Sequence, residues 1–189
     1  RSGMFSFLGA FLLVVLYMFL YYSRAGLIAD IALFSNVFFI IGVLASLGAV
    51  LTLPGIAGIV LTLGMAVDAN VIIYERVREE VRAGKGIRVA IDEGFKHSYS
   101  AIIDGNVTTL ITAFVLYIFG SGPIQGFATT LIIGIFSSLF TAIFVSRLII
   151  ERRLARGKDI KVGTAATINA FTNTKVDFIK MRKYFYILS

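Results

Sequence analysis

Five apolar runs, each long enough to cross a bilayer, leave this chain very little freedom in what it can fold into. They cover residues 4–22, 27–47, 54–74, 101–119 and 123–150. A lipid core about 30 Å thick needs roughly 20 residues of helix at 1.5 Å per residue. No core of a 189-residue soluble domain could hide five such runs. The mean hydropathy of +0.88 agrees, and with 58% hydrophobic and 15% charged residues the soluble class is excluded. In lipid every backbone N–H and C=O must be satisfied within the span, which predicts an all-α polytopic membrane bundle of five transmembrane helices.

The connections are short where they join spans directly. Ser23-Arg24-Ala25-Gly26 links the first two runs and Gly120-Ser121-Gly122 the last two, so each pair is antiparallel. Pro54 and Pro123 stand where a missing N–H is harmless, at the first turn of a helix. Between the third and fourth runs, residues 75–98 are dense in charge of both signs with an interrupted apolar stripe of Val77, Val81, Ile87, Val89 and Ile91. That pattern predicts an amphipathic hairpin at the membrane surface on the cytoplasmic side, broken at Gly84-Lys85-Gly86.

Charge asymmetry predicts the orientation. Of 18 Lys and Arg, six lie in the loop 75–98 and nine in the tail 151–189; Arg24 and Arg147 fall on the same side, and Arg1 alone falls on the other. Short cytoplasmic loops hold the basic excess, so the amino terminus is expected outside the cytoplasm and the carboxyl terminus inside it. The net charge of +7 fits anionic membrane lipids rather than nucleic acid in such a chain. With no cysteine there is no disulfide framework or thiolate metal site. The opening at Arg1 and the apolar Tyr184-Phe185-Tyr186-Ile187-Leu188 at the far end read as an excised piece, with a cytoplasmic linker leading into a sixth span.

Ionisable residues inside spans carry the functional signal, because an Asp at a helix centre costs about 2.5–3.5 kcal/mol on insertion. Asp30 falls in the first turn of the second run, where a carboxylate complements the helix N-terminus; it is expected to be structural or interfacial. Asp68 lies seven residues before Glu75, about 10 Å below the charged edge. Asp104 enters the fourth run from the same edge, about eight residues beyond Lys96, and is expected at a similar depth. Thr108 and Thr112 continue the face of Asp104, whereas Asn70 and Asn106 lie about 200° around from their aspartates. Two readings stay open: a proton relay of Asp68 and Asp104 with Asn70, Asn106, Thr108 and Thr112 as supporting polar groups, or interhelical glue with Gly64 and Gly105 permitting close approach.

Other chemistries fail on the residues. The Gly-x-Gly-Asp stretch of intramembrane aspartyl proteases is missing, since Met65 and Val67 stand where its glycines would precede Asp68. His97, the one histidine, sits in the charged loop as an interfacial residue. Gly84-Lys85-Gly86 lacks the remaining residues of a phosphate loop, and Asn106-Val107-Thr108 matches a glycosylation sequon only by accident within a span. No catalytic residue, cofactor or metal site is expected.

The stretch Leu53-Pro54-Gly55-Ile56-Ala57-Gly58, running through Gly64-Met65-Ala66-Val67-Asp68-Ala69-Asn70-Val71 to Tyr74-Glu75-Arg76-Val77-Arg78-Glu79-Glu80, resembles the fourth membrane helix and following loop in the SecD–SecF family of protein-export membrane proteins. The resemblance continues through Gly26-Leu27-Ile28-Ala29-Asp30, Asp104-Gly105-Asn106-Val107-Thr108-Thr109 and Phe119-Gly120-Ser121-Gly122-Pro123, and covers residues 1–151. Val176-Asp177-Phe178-Ile179 with Arg182-Lys183 resembles the entry into a SecF-like half, implying a fused polypeptide. What the resemblance implies is a bacterial cytoplasmic-membrane protein of the resistance–nodulation–division superfamily. It would use the proton-motive force to assist preprotein export through the SecYEG translocon, with YajC and the SecF-like half as further partners. Asp68 matches the family's fourth-helix aspartate tied to proton transport. The alternatives are a proton-driven lipid or drug exporter of the same superfamily and a structural membrane scaffold.

Overall fold

The computed structural model describes residues 2–48, 52–157, 160 and 162, and among them all regular structure is helical. The helices are α1 (Ser2–Tyr22), α2 (Arg24–Ser46), α3 (Leu53–Arg82), α4 (Ile87–Phe119), α5 (Pro123–Phe140) and α6 (Ser146–Ala155). A π-helical turn over Thr141–Val145 joins α5 to α6 without a break. Residues 24–46, 53–82, 87–119 and 123–155 are each long and apolar enough to cross a membrane. Helix α1 adds 21 residues, about 31 Å of length.

Helix starts follow the sequence signals. Thr52 caps α3 by accepting from the Gly55 N–H at 3.2 Å, and Pro54 and Pro123 occupy the first turns of α3 and α5. The charged hairpin forms where expected, but its arms are not separate helices on the surface: α3 runs on to Arg82 and α4 begins at Ile87. Val77 packs against Gly94, where a Cβ would come within 2.5 Å of a Val77 methyl and 2.9 Å of its backbone nitrogen. The turn closes with Lys85 N–H on the Glu80 carbonyl, Gly84 N–H on Val81, and Gly84 at φ +88°, the hydrogen-bond pattern that glycine completes after a helix. The expected sixth span at Tyr184-Phe185-Tyr186-Ile187-Leu188 and the segment Val176-Asp177-Phe178-Ile179 lie outside the described residues.

Helix α3 is the centre of the bundle, and its parallel neighbour α5 comes closest because small residues alternate across the seam. A Cβ on Gly58 would lie 2.2 Å from the Thr130 hydroxyl, and one on Gly134 would lie 2.4 Å from the Thr62 methyl. Gly58 and Thr62, like Thr130 and Gly134, are four residues apart, so each helix sets a glycine against the other's threonine. Both threonine hydroxyls donate to their own helix, to the Ile59 and Phe127 carbonyls, at 2.8 Å each. By contrast α4 is barely enclosed: 11% of its apolar window is buried, against 44% in α2, α3 and the α5–α6 rod. Among the described residues, one side of the bundle is therefore left open along α4.

Candidate functional site

The open side is where the in-span aspartates stand. Asp68, midway along α3, is exposed on its outward face and lines a groove of about 230 Å³ between α3 and α4 with Met65, Ile72, Ala101, Gly105 and Thr109. Its carboxylate makes no hydrogen bond or ion pair with the described residues. Asp104 is exposed on α4, where the Ser100 hydroxyl donates to it at 3.3 Å. Thr108 and Thr112 continue the same outward face, and their hydroxyls donate to the carbonyls of Asp104 and Thr108 at 3.0 and 3.2 Å. The polar stripe on α4 is thus real, with its threonine hydroxyls committed to their own helix and the Asp104 carboxylate bonded to Ser100.

Each asparagine points away from the aspartate of its own helix, as 200° of helix rotation requires, and Asn106 thereby lines the Asp68 groove from α4. Asn70 is 3% exposed; its amide donates to the Ala66 carbonyl at 3.0 Å, and its oxygen accepts from the Ser146 hydroxyl at 2.8 Å. Asn106 is buried, with its amide donating to Ile102 at 2.7 Å and its oxygen without a hydrogen-bond partner among the described residues. Gly64 and Gly105 give no close approach among the described residues, since a Cβ at either would meet nothing within 4 Å. The glycines that do admit a neighbour are elsewhere, at the α3–α5 seam.

Asp30 departs from expectation. It is 5% exposed, and it lies in the second turn of α2 because the tight turn at Ser23 lets that helix begin at Arg24, ahead of the apolar run. It stands within electrostatic reach of the buried Tyr74. The helix-dipole account of its position therefore does not hold.

At the charged end the carboxylates have partners. Glu75 accepts from the Tyr22 hydroxyl at 3.0 Å and from Arg78 at 2.7 Å, and the Arg78 guanidinium lies over the Tyr21 and Tyr22 rings at 5.5 and 5.7 Å. Arg147 of α6 reaches Asp92 of α4 at 2.9 Å and Glu151 at 2.7 Å. Lys85 pairs with Glu80 at 2.6 Å and also with Glu93. The Lys85 hydrogen bond holds the Glu80 carboxyl below the usual carboxylate range, with His97 at 3.3 Å adding to the effect. His97 is 52% exposed among these charges, and no cluster of three metal-ligating side chains occurs among the described residues.

Reasoning from sequence missed Ser146 and the π-turn that presents it, since a lone serine in an apolar run carries no signal. It also missed the α3–α5 seam, for which the four-residue spacing of Gly58 with Thr62 and of Thr130 with Gly134 was a usable sign.

The sequence profile of the family described as "Protein export membrane protein SecD/SecF, C-terminal" matches residues 1–155. The "Protein translocase subunit SecD" of Rhodothermus marinus is 57% identical over 159 residues, covering 82% of this chain and 26% of that protein. The protein of the same name from Koribacter versatilis is 49% identical over 156 residues, with 82% and 29% covered. A crystal structure of SecDF, a translocon-associated membrane protein, from Thermus thermophilus superimposes with a TM-score of 0.87 at 42% identity, covering 97% of this chain and 25% of that one. A structure of SecDF in a super-membrane-facing form gives 0.79 at 47% identity, covering 84% and 22%. The chain therefore spans little more than a quarter of the length of these relatives.

Proposed function

The chain belongs to the SecD/SecF C-terminal family of protein export membrane proteins, and we propose that it is the membrane-embedded part of a SecD-type subunit that couples the proton-motive force to preprotein export. Its apolar helices and its relatives make it a multi-pass bacterial membrane protein. In the proposed setting the amino-terminal end faces the periplasm and the charged hairpin the cytoplasm. A SecF-like half of the same polypeptide covers the open side of α4, SecYEG is the translocon served, and YajC and anionic lipids are neighbours. No covalent catalysis and no cofactor is involved.

The observation that carries this reading is the Asp68 carboxylate, placed mid-span on the outward face of α3 and unpartnered among the described residues. Left against lipid, it would cost about 2.5–3.5 kcal/mol. A second protein surface with a polar counterpart removes that penalty and makes the α3–α4 groove an internal site. Moving one charge through 100 mV releases about 2.3 kcal/mol, enough to shift a two-state element whose states differ in protonation. The glue reading is the weaker one, because among the described residues nothing packs closely against Gly64 or Gly105.

The test is Asp68→Asn in the full-length protein, comparing membrane abundance with proton-driven secretion in the same cells. Asn keeps the shape of the protonated acid and its hydrogen bonds but cannot exchange a proton. Normal abundance with lost stimulation of secretion is expected. Normal abundance with normal secretion would sink the proton role of Asp68.

A further inference from the structure

The groove that holds Asp68 has two walls, α3 and α4, and consecutive residues of α6 reach both of them. Ser146 donates to the Asn70 oxygen on α3 at 2.8 Å, and Arg147 bonds Asp92 on α4 at 2.9 Å. The first link is buried, with Ser146 at 0% and Asn70 at 3% exposure. The Asn70 amide is itself held by the Ala66 carbonyl, which fixes the oxygen towards Ser146. A hydroxyl has one proton to give, and the Asn70 contact is shorter than the 3.3 Å to the Thr141 carbonyl.

The π-turn decides that Ser146 faces α3. Buried positions along this rod fall at Ser138, Ala142, Ser146 and Ile150, in steps of four. In an unbroken α-helix each such step drifts by about 40°, or roughly 120° across the three. The wider turn closed by the Ser146 N–H on the Thr141 carbonyl absorbs part of that drift and keeps α6 packed. Asn70 stands about 200° from Asp68 on the same helix. Anchoring the asparagine inside the bundle therefore sets the rotation of α3 and, with it, the direction of the carboxylate.

We propose that Ser146 is a positioning residue for Asp68: through Asn70, with Arg147 bracing α4 alongside, it fixes how the carboxylate is presented in the groove. The functional consequence rests on the proton-coupled reading of Asp68; the geometric one does not. The experiment therefore reads both. In full-length protein with its other cysteines replaced, Asp68→Cys is alkylated by a small maleimide in the Ser146, Ser146→Ala and Ser146→Thr backgrounds. In parallel, proton-driven export is followed against pH for the Ser146 variants with Asp68 intact.

Ser146→Ala is expected to change the alkylation rate by about fivefold, the population change that one net hydrogen bond controls, with Ser146→Thr restoring it. The pH profile of export should move in the same backgrounds. Asn70→Ala removes the bond from the other end and serves where Ser146→Ala does not accumulate. A changed rate with an unmoved pH profile would support the positioning role and remove the proton role of Asp68. An unchanged rate at normal abundance, in Ser146→Ala and in Asn70→Ala, overturns the proposal whatever export does.

Discussion

Within the apolar runs 54–74 and 101–119, α3 and α4 each carry one asparagine and one aspartate, and the structure treats the two kinds of residue oppositely. Asn70 and Asn106 turn inwards, each amide bonded to the carbonyl four residues back. Asp68 and Asp104 are exposed, Asp68 in the groove between α3 and α4. Polarity inside a span is thus two signals. Amides that can donate to their own helix are compatible with packing, whereas an ionised carboxylate in a span is costly unless a polar group meets it.

Exchanging the two kinds should hurt on one side only, and this is the largest effect expected. Asn106→Asp would set a carboxylate oxygen against the Ile102 carbonyl in place of a donor at 2.7 Å, inside the bundle. A loss of about 2.5–3.5 kcal/mol is expected, seen as reduced membrane abundance and an earlier thermal transition of the purified full-length protein. Asp104→Asn, on the outward face, should leave both close to wild type. Equal losses for the two substitutions would mean that the inward and outward faces do not differ as described.

The sequence made the spans legible because hydropathy and length are summed properties that no single contact can overturn. It also made legible the opposition of Asp68 to Asn70 and of Asp104 to Asn106, since that follows from helix geometry alone. Which of the two faces the interior was not legible. Both faces of α3 bear small and polar residues, and the choice depends on Gly58 and Thr62 meeting Thr130 and Gly134 on a helix some 70 residues away. Asp30 was misplaced for a local reason, a helix that starts three residues before its apolar run. The partner of Asn70 depended on a π-turn, which no periodicity announces.

The same contrast separates glycines. Gly134→Ala puts a Cβ 2.4 Å from the Thr62 methyl and 2.6 Å from its hydroxyl, where neither helix can withdraw without opening the seam. Overpacking of this kind costs about 1–3 kcal/mol. On α2, Gly42→Ala adds a methyl to open space and should stabilise by about 0.5–1 kcal/mol through helix propensity. Thermal unfolding of the two variants should therefore move in opposite directions. A neutral Gly134→Ala would show that α3 and α5 are not in the contact described.

The smallest expected effect concerns a carboxylate that, unlike Asp68, finds its counter-charge among the described residues. Glu80, at the end of α3, is bound by Lys85 at 2.6 Å, and Lys85 is held in turn by Glu93 on α4. The pair crosses the turn, so it ties the arms of the hairpin, and the Lys85 contact is the main reason that the Glu80 carboxyl titrates below its ordinary range. A group whose folded pKa is depressed contributes stability above its unfolded value, near 4.3 for glutamate, and loses it as pH falls through the folded value. Backbone amides around Gly84 should therefore exchange faster, after correction for intrinsic rates, as pH is lowered from about 6 to about 3. Glu80→Gln should flatten that dependence by removing the titrating group, and Lys85→Ala should do the same by removing its partner. The hairpin is solvated and the pair is screened, so the change should stay within the turn and leave the thermal transition of the bundle nearly unmoved. If Glu80→Gln kept the full pH slope, the acid sensitivity would belong to another carboxylate, and the contrast between partnered charges at the hairpin and open ones in the groove would lose its clearest example.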